Sequence, residues 1–422
     1  MRRELNEIEY FNWCVGQPYN MAVAVRIHGD LDPDRLRGAL DRAQQRHPLL
    51  RVNTEIGPTG LPWFTSDGVG AIPLAVLDSS EPEAARRLAE AELTAPFAMD
   101  GAGSPRLPLL RVSLLLPREP AEVVDLVLTA QHVVADGLSM VFLVRDLLHF
   151  MERPDAPLPV LDAAASPADL LPAEVRRRIP TSPLRFRIVL WLAKAWVRLR
   201  LGRRPAAPGP LARQHRSWEL TPDQTSRLRV RCRMEGVSVQ AAICTAFLGA
   251  FVAIHVPVNV RPLLARPVGE AVGLFVGAAE VRLRYRAALG FWGNARRFQR
   301  RLGRALRNPF GVFQLFSKAV PAEAIRQLGA LLVAVTAGQR PFAVTNLGEL
   351  DRSGVQLQGP GLRIESFFGA VTGIVDSSVL TVYTLGGRLR LHLLATEAGP
   401  SETGVRDDAE RALRLLLESI DR

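Results

Sequence analysis

The sequence predicts an α/β (α+β) protein made of two subdomains, each a mixed sheet flanked by helices. Three observations lead there. At 422 residues the chain exceeds what one ordinary core holds. Strand-like and helix-like stretches mix without a strict β-α-β alternation, which favours mixed sheets over a doubly wound parallel one. A Pro-, Ala- and Asp-rich segment over 154–184 lies near the middle, and Pro205-Ala-Ala-Pro-Gly-Pro210 after it marks the boundary between two halves. The organisation reads as an N-terminal subdomain over 1–165, a linker over 166–215 and a C-terminal subdomain over 216–422.

Leu5 to Phe11 reads as a short opening helix, and Met21 to Ile27 as the first strand, closed by His28-Gly-Asp30. Asp32-Pro33-Asp34 starts a helix with proline in its first turn and Leu36, Leu40 and Ala43 as its buried stripe. It stops at His47-Pro48, because a residue before proline is pushed out of the helical region, and Leu49 to Asn53 resumes as strand. Pro82 to Glu92 reads as a helix. Leu109 to Leu116 and Glu122 to His132 read as adjacent apolar strands joined by Pro117-Arg-Glu-Pro120. Side chains alternate along a strand, so His132 is expected on the face of Val124, Leu126, Leu128 and Ala130. A histidine ending an apolar face is unusual. Asp136-Gly137 then makes a tight turn into a helix from Leu138 to Met151, with Leu138, Val141, Leu148 and Met151 inward.

Residues 154 to 184 read as a connecting segment. In Arg185 to Arg204, Phe186, Val189, Leu190, Ala193, Trp196 and Val197 form one broad side of a helix, while Arg187, Lys194 and Arg198 line the other. That helix either packs onto the domain junction or lies among lipid headgroups, giving peripheral membrane contact through 185–204.

The second half restarts with a short strand at Ser217 to Leu220 and a helix capped by Thr221 with Pro222 at its first position. Ser238 caps an apolar helix expected from Val239 to about Ile254. His255 to Pro262 and Gly273 to Leu283 read as strands. Phe291 to Arg307 is an amphipathic helix with Phe291, Ala295, Phe298, Leu302 and Ala305 on one face and Arg297, Arg300, Arg301 and Arg304 around the other. Phe342 to Gly348, Ile364 to Phe368, Val379 to Thr384 and Leu389 to Leu394 read as strands, and Asp407 to Ile420 as the closing helix.

Composition narrows the function. The chain is 48% hydrophobic and 23% charged, a globular balance. Cys14, Cys232 and Cys244 are far apart, which argues against a zinc site or disulfide framework and suits a reducing cytoplasm. No apolar leader opens the chain, and no apolar run is long enough to span a bilayer. A net charge of +11 favours anionic partners. With 6% aromatics and no basic–aromatic interleaving, nucleic acid is not expected among them.

Most nucleophile and metal motifs are missing: there is no Gly-x-Ser-x-Gly, no phosphate-binding loop and no His-Glu-x-x-His. His132 and Asp136 form a His/Asp pair placed at a strand end and turn. Spacing alone leaves two readings open, a catalytic base with its partner, or a satisfied interior histidine beside a helix cap.

Gln131-His132-Val-Val-Ala-Asp136-Gly137 resembles the (His)-His-x-x-x-Asp-Gly segment of the superfamily that joins chloramphenicol acetyltransferases, plant alcohol acyltransferases, peptide-synthetase condensation domains and polyketide-associated, ester-forming acyltransferases. Arg46-His-Pro-Leu-Leu-Arg51, Pro108-Leu-Leu-Arg111, Gly236-Val-Ser-Val-Gln240, Val256-Pro-Val-Asn-Val-Arg261 and Val344-Thr-Asn-Leu-Gly348 extend the resemblance in family order over nearly the whole chain. The departure is Gln131, where that family has its first histidine; the second is the family's base. The resemblance implies two chloramphenicol-acetyltransferase-like subdomains with an active-site tunnel between them, and direct acyl transfer without a covalent acyl-enzyme. His132 would be the general base, Asp136 would pair with Arg261, and Gly137 and Asn346, with Thr345 beside it, are the oxyanion candidates.

The donor implied is an acyl thioester of CoA or acyl carrier protein, and the acceptor an alcohol or amine. No permanently bound cofactor and no metal are expected. Arg297, Arg300, Arg301 and Arg304 are either an ordinary solvated helix face or docking candidates for an acidic carrier protein or for CoA phosphates. A free-standing chain of this kind is expected as a cytoplasmic monomer serving lipid or secondary metabolism. Two further readings stand beside this one: a membrane-associated wax-ester or glyceride synthase using the 185–204 helix, and a non-catalytic carrier-binding module suggested by Gln131.

Overall fold

In chain order the first half forms β1 (Arg2–Glu4), α1 (Glu7–Val15), β2 (Asn20–His28), α2 (Pro33–Arg46), β3 (Asn53–Ile56), β4 (Pro62–Thr65), β5 (Leu74–Asp78) and α3 (Ala84–Glu92). It continues with β6 (Leu110–Leu116), β7 (Val123–Gln131), α4 (Gly137–Glu152) and α5 (Ala173–Arg177). The rest forms β8 (Ala212–Glu219), α6 (Pro222–Met234), α7 (Val239–Phe247), β9 (Ala253–Asn259), β10 (Val276–Arg282), α8 (Gly290–Leu306), β11 (Phe342–Glu349), β12 (Arg363–Val371), β13 (Ser378–Leu385), β14 (Arg388–Glu397) and α9 (Gly404–Asp421). This computed structural model describes residues 1–15, 18–79, 81, 83–99, 106–117, 122–157, 159–162, 170–177, 188, 191–192, 195, 212–308, 342–351, 361–372, 378–397 and 404–421. The predicted helix at 185–204 lies almost wholly outside them.

Two units emerge, one of residues 1–177, 260–275 and 350–372, the other of 178–259, 276–349 and 373–422. In the first, a five-stranded sheet runs β12-β2-β7-β6-β5 beside a small β1-β4-β3 sheet. The five-stranded sheet is mixed: β5 pairs parallel with β6, and its other neighbours are antiparallel. The aliphatic β7 is central and pairs with β2 and β6. In the second unit a six-stranded sheet runs β10-β9-β11-β13-β14-β8, with β11 parallel to β9 and β13. Its apolar core joins Leu228, Ile243, Phe247, Phe298, Leu302, Val344, Leu380, Leu391 and Leu416, so α6 to α9 share one core with the sheet. Among the described residues no helix is long and apolar enough to cross a membrane.

Local chemistry accounts for the helix ends. The Asp32 carboxylate accepts from the Arg35 N–H at 3.0 Å, Pro33 sits in the first turn, and the helix ends at the extended His47 before Pro48. Thr221 and Gln224 form a reciprocal capping box at the start of α6. Ser238 caps α7 through the Ala241 N–H.

Several elements differ from the patterning. Met21 to Ile27 belongs to the second strand, since Arg2–Glu4 pairs first with β4. Residues 48–51, expected as strand from Leu49, form a 3-10 turn: Leu49 and Leu50 are both buried, which an alternating strand cannot arrange, and the Leu50 N–H donates to the His47 carbonyl. The apolar helix from Val239 stops at Phe247 rather than near Ile254, which instead sits on β9 opposite Val281. Helix α4 is buried on nearly every side, with Met140, Phe142, Leu143 and Leu147 inside and Leu138 half-exposed, so it has no single inner face. The short strands β4 and β5 carry no distinctive pattern in the sequence.

Candidate active site

The Asp136 cap organises the site. Its Oδ1 accepts from the Ser139 N–H at 2.8 Å, which starts α4, and its Oδ2 accepts from the Phe275 N–H at 2.8 Å. Arg261 Nη1 donates to Oδ2 at 2.9 Å and Nη2 to Oδ1 at 3.3 Å, with both side chains below a tenth exposed. Burial pushes the Asp136 carboxyl up, but the Arg261 charge and hydrogen bonds and the two backbone donors more than offset it, leaving it below its ordinary value. Arg261 also donates to Ser139 Oγ at 2.8 Å and lies over the Phe275 ring, 4.6 Å from its centroid. Ser139 Oγ in turn donates to the Gly273 carbonyl at 2.8 Å. Arg261 comes from the second half of the sequence yet belongs to the first unit, as part of 260–275.

His132 stands one residue past the end of β7, in the turn rather than on the strand face. Its N–H donates to the Tyr19 carbonyl at 2.9 Å. Nδ1 lies 2.9 Å from the Ala135 carbonyl. A carbonyl only accepts, so in the neutral ring Nδ1 carries the proton and Nε2 holds a lone pair. Among the described residues nothing hydrogen-bonds to Nε2. Burial lowers the His132 pKa; the Ala135 carbonyl and the Asp136 charge pull it back in part, and the net shift is downward. The imidazole is therefore neutral at pH 7.

Gln131 is fully buried, and its Oε1 accepts from the Val133 N–H. It braces the backbone of the His132 turn with a local side-chain bond. Gly137 is the first residue of α4, and its φ is not positive, so no left-handed conformation demands glycine there. Thr345 and Asn346 lie half-buried on β11 in the second unit, where Asn346 Oδ1 accepts from the Gly348 N–H at 2.8 Å.

On α8, Arg300, Arg301 and Arg304 are exposed or half-exposed, and Arg297 donates to Asn294 Oδ1 at 3.0 Å. Slight burial and the nearby guanidiniums of Arg286, Arg301 and Arg300 hold Arg297 below its ordinary pKa. Among the described residues no group of His, Cys, Asp and Glu is placed to hold a metal ion.

A second buried His/Asp pair lies elsewhere in the first unit, and sequence reasoning centred on the turn missed it. His47 Nε2 lies 2.9 Å from Asp146 Oδ2, and His47 Nδ1 accepts from the Val272 N–H at 3.3 Å. Arg46 and Arg145 also reach Asp146. This network ties α2, α4 and the 260–275 segment together. Arg46-His47 before Pro48 is the available signal, but its partner is 99 residues away.

Residues 15–156 match the condensation-domain family. The chain is 28% identical over 252 residues to one component of the linear gramicidin synthase of Brevibacillus parabrevis, and 31% identical over 143 residues to surfactin synthase subunit 2 of Bacillus subtilis. Those matches span 54% and 34% of this chain but 3% and 4% of the relatives. Among solved structures, the first condensation domain of the calcium-dependent antibiotic synthetase superposes at TM-score 0.68, with 17% identity over 100% of this chain and 97% of that one. Polyketide synthase associated protein 5 of Mycobacterium tuberculosis gives 0.64, with 19% identity over 99% and 98%. Trichothecene 15-O-acetyltransferase of Fusarium sporotrichioides gives 0.69, with 14% identity over 99% and 94%. The chain shares the fold of these three solved structures.

Proposed function

We propose that this protein transfers an acyl group from a thioester of CoA or a carrier protein to a hydroxyl or amine, with His132 as general base. The observation that carries this is the fixed neutral tautomer: Nδ1–H is engaged by Ala135, so the Nε2 lone pair is free to take a proton. The acceptor O–H or N–H gives its proton to Nε2 while its heteroatom bonds to the thioester carbonyl carbon. The tetrahedral oxyanion collapses, the C–S bond breaks, and the departing thiolate takes the proton back from the imidazolium. No covalent acyl-enzyme forms. The Gly137 N–H, in the first turn of α4 where helix amides lack intrahelical partners, is assigned to the oxyanion. Asp136, held by Arg261, keeps the turn and the helix start in place rather than touching substrate. The arginines of α8 are assigned to the anionic donor, as a face for an acidic carrier protein or CoA phosphates.

The test is His132→Ala, assayed for transfer from an acyl thioester to a panel of alcohols and amines with product detection by mass spectrometry. Loss of about 10²–10⁴-fold in rate with an unchanged circular dichroism spectrum is expected. Full activity in that variant would refute the assignment. The product class, ester or amide, comes from the same panel.

A further inference from the structure

Tyr19 makes two separate contacts with His132. Its carbonyl accepts the His132 N–H at 2.9 Å, and its ring lies against the imidazole, with centroids 4.9 Å apart and planes tilted by 32°. Tyr19 is 5% exposed and His132 9%, so the contact is inside the protein. The bond from Nδ1 to Ala135 fixes one end of the imidazole, but the torsion that orients a histidine ring is broad and soft. A flat ring against one face removes that remaining freedom, which an aliphatic side chain of similar size does less well.

Tyr19 is itself held. The adjacent Asn20 Nδ2 donates to the Glu92 carbonyl at 2.9 Å and the Ala95 carbonyl at 2.7 Å. The Thr372 N–H donates to the Asn20 carbonyl at 2.8 Å, and Thr372 Oγ1 to the Leu93 carbonyl at 3.0 Å. The start of β2 is thus tied to the end of α3 and to the residue after β12, and Tyr19 is delivered to His132 from a rigid anchor.

We propose that Tyr19 is a positioning residue for His132: its carbonyl fixes the turn, and its ring walls one face of the imidazole, so that Nε2 is presented to the acceptor along one direction. This rests on the reading of His132 as the base. The ring does this work, not the hydroxyl.

Tyr19→Phe and Tyr19→Leu separate the possibilities, in full-length protein whose thermal melting is measured first. Two readouts are needed: kcat and KM for acyl transfer, and the titration of the His132 imidazole by ¹⁵N NMR, its signal assigned with His132→Gln. Asp136 and the Ala135 carbonyl face the imidazole unchanged in every variant. Tyr19→Leu is expected to lower kcat by about 10- to 100-fold with KM little changed. It is also expected to move the His132 titration up toward the ordinary imidazole value, as water reaches the uncovered face. Tyr19→Phe is expected to match the wild type in both. If Leu leaves kcat and the titration unchanged, or if Phe behaves as Leu does, the proposal fails. If instead His132→Ala stays active while Tyr19→Leu still moves the titration, the packing stands and the base assignment falls.

Discussion

Arg261→Met isolates the energetic core of the site. The variant keeps an apolar stem against Phe142 and Phe275 but leaves the Asp136 carboxylate buried without its counter-charge. Removing one member of a buried ion pair costs about 3–5 kcal/mol. Asp136 retains the Ser139 and Phe275 backbone donors at 2.8 Å, so the lower end, about 3 kcal/mol, is expected at pH 7. The cost should depend on pH with a defined sign. In the wild type the folded Asp136 pKa lies below the ordinary value of 3.8, so its contribution to stability is present above about pH 4 and is lost as pH falls. Without Arg261, burial dominates and raises that pKa, so the variant escapes its penalty by protonating Asp136 as the solution is acidified. Urea unfolding of wild type, Arg261→Met, Asp136→Asn and the double variant, at about pH 7 and pH 4.5, measures this. A large gap at neutral pH that narrows on acidification is expected, with a coupling energy between the two positions and no change in slope. A cost below about 1 kcal/mol at pH 7, typical of an exposed pair, or one equal at both pH values, would refute the reasoning.

The same electrostatics bear on catalysis. With His132 as the proposed base, its pKa lowered by burial places the acid limb of kcat/KM below the ordinary imidazole value of 6.5, with the neutral form dominant above that value; an acid limb centred above 6.5 contradicts the buried, Ala135-bonded imidazole. In the second unit, Thr221→Ala removes the Oγ1 that accepts from the Gln224 N–H, while the backbone N–H at that position still donates to Gln224 Oε1, and should cost about 1 kcal/mol, seen as faster amide exchange in the first turn of α6. Unchanged exchange there would mean the cap contributes nothing.

Much of this is legible from local patterning. The aliphatic run into Gln131 forms β7, Asp136 caps α4, and Asp32, Thr221 and Ser238 start helices through the bonds their residue types favour. Other features are illegible for definite reasons. Residues 48–51 carry strand-like residues, but Leu49 and Leu50 both turn inward, a choice made by the surrounding core. Ile254 continues an apolar run, yet the sheet claims it. Within the site, the distinctive segment is visible, while Tyr19 is not, because a tyrosine before a strand carries no local mark of what it packs against.

Local residue chemistry is enough to set the strand–turn–helix that carries His132, since backbone alternation, turn chemistry and capping act within a few residues. What surrounds that histidine depends on long-range packing. Arg261 reaches Asp136 across 125 residues, β12 adds to β2 from the far half of the chain, and Tyr19 closes on the imidazole from the neighbouring strand, where Asn20 pairs with Gln131. A desolvated carboxylate requires a buried counter-charge and a strand edge requires a partner. Which distant residues meet those needs is set by the packing of the whole unit.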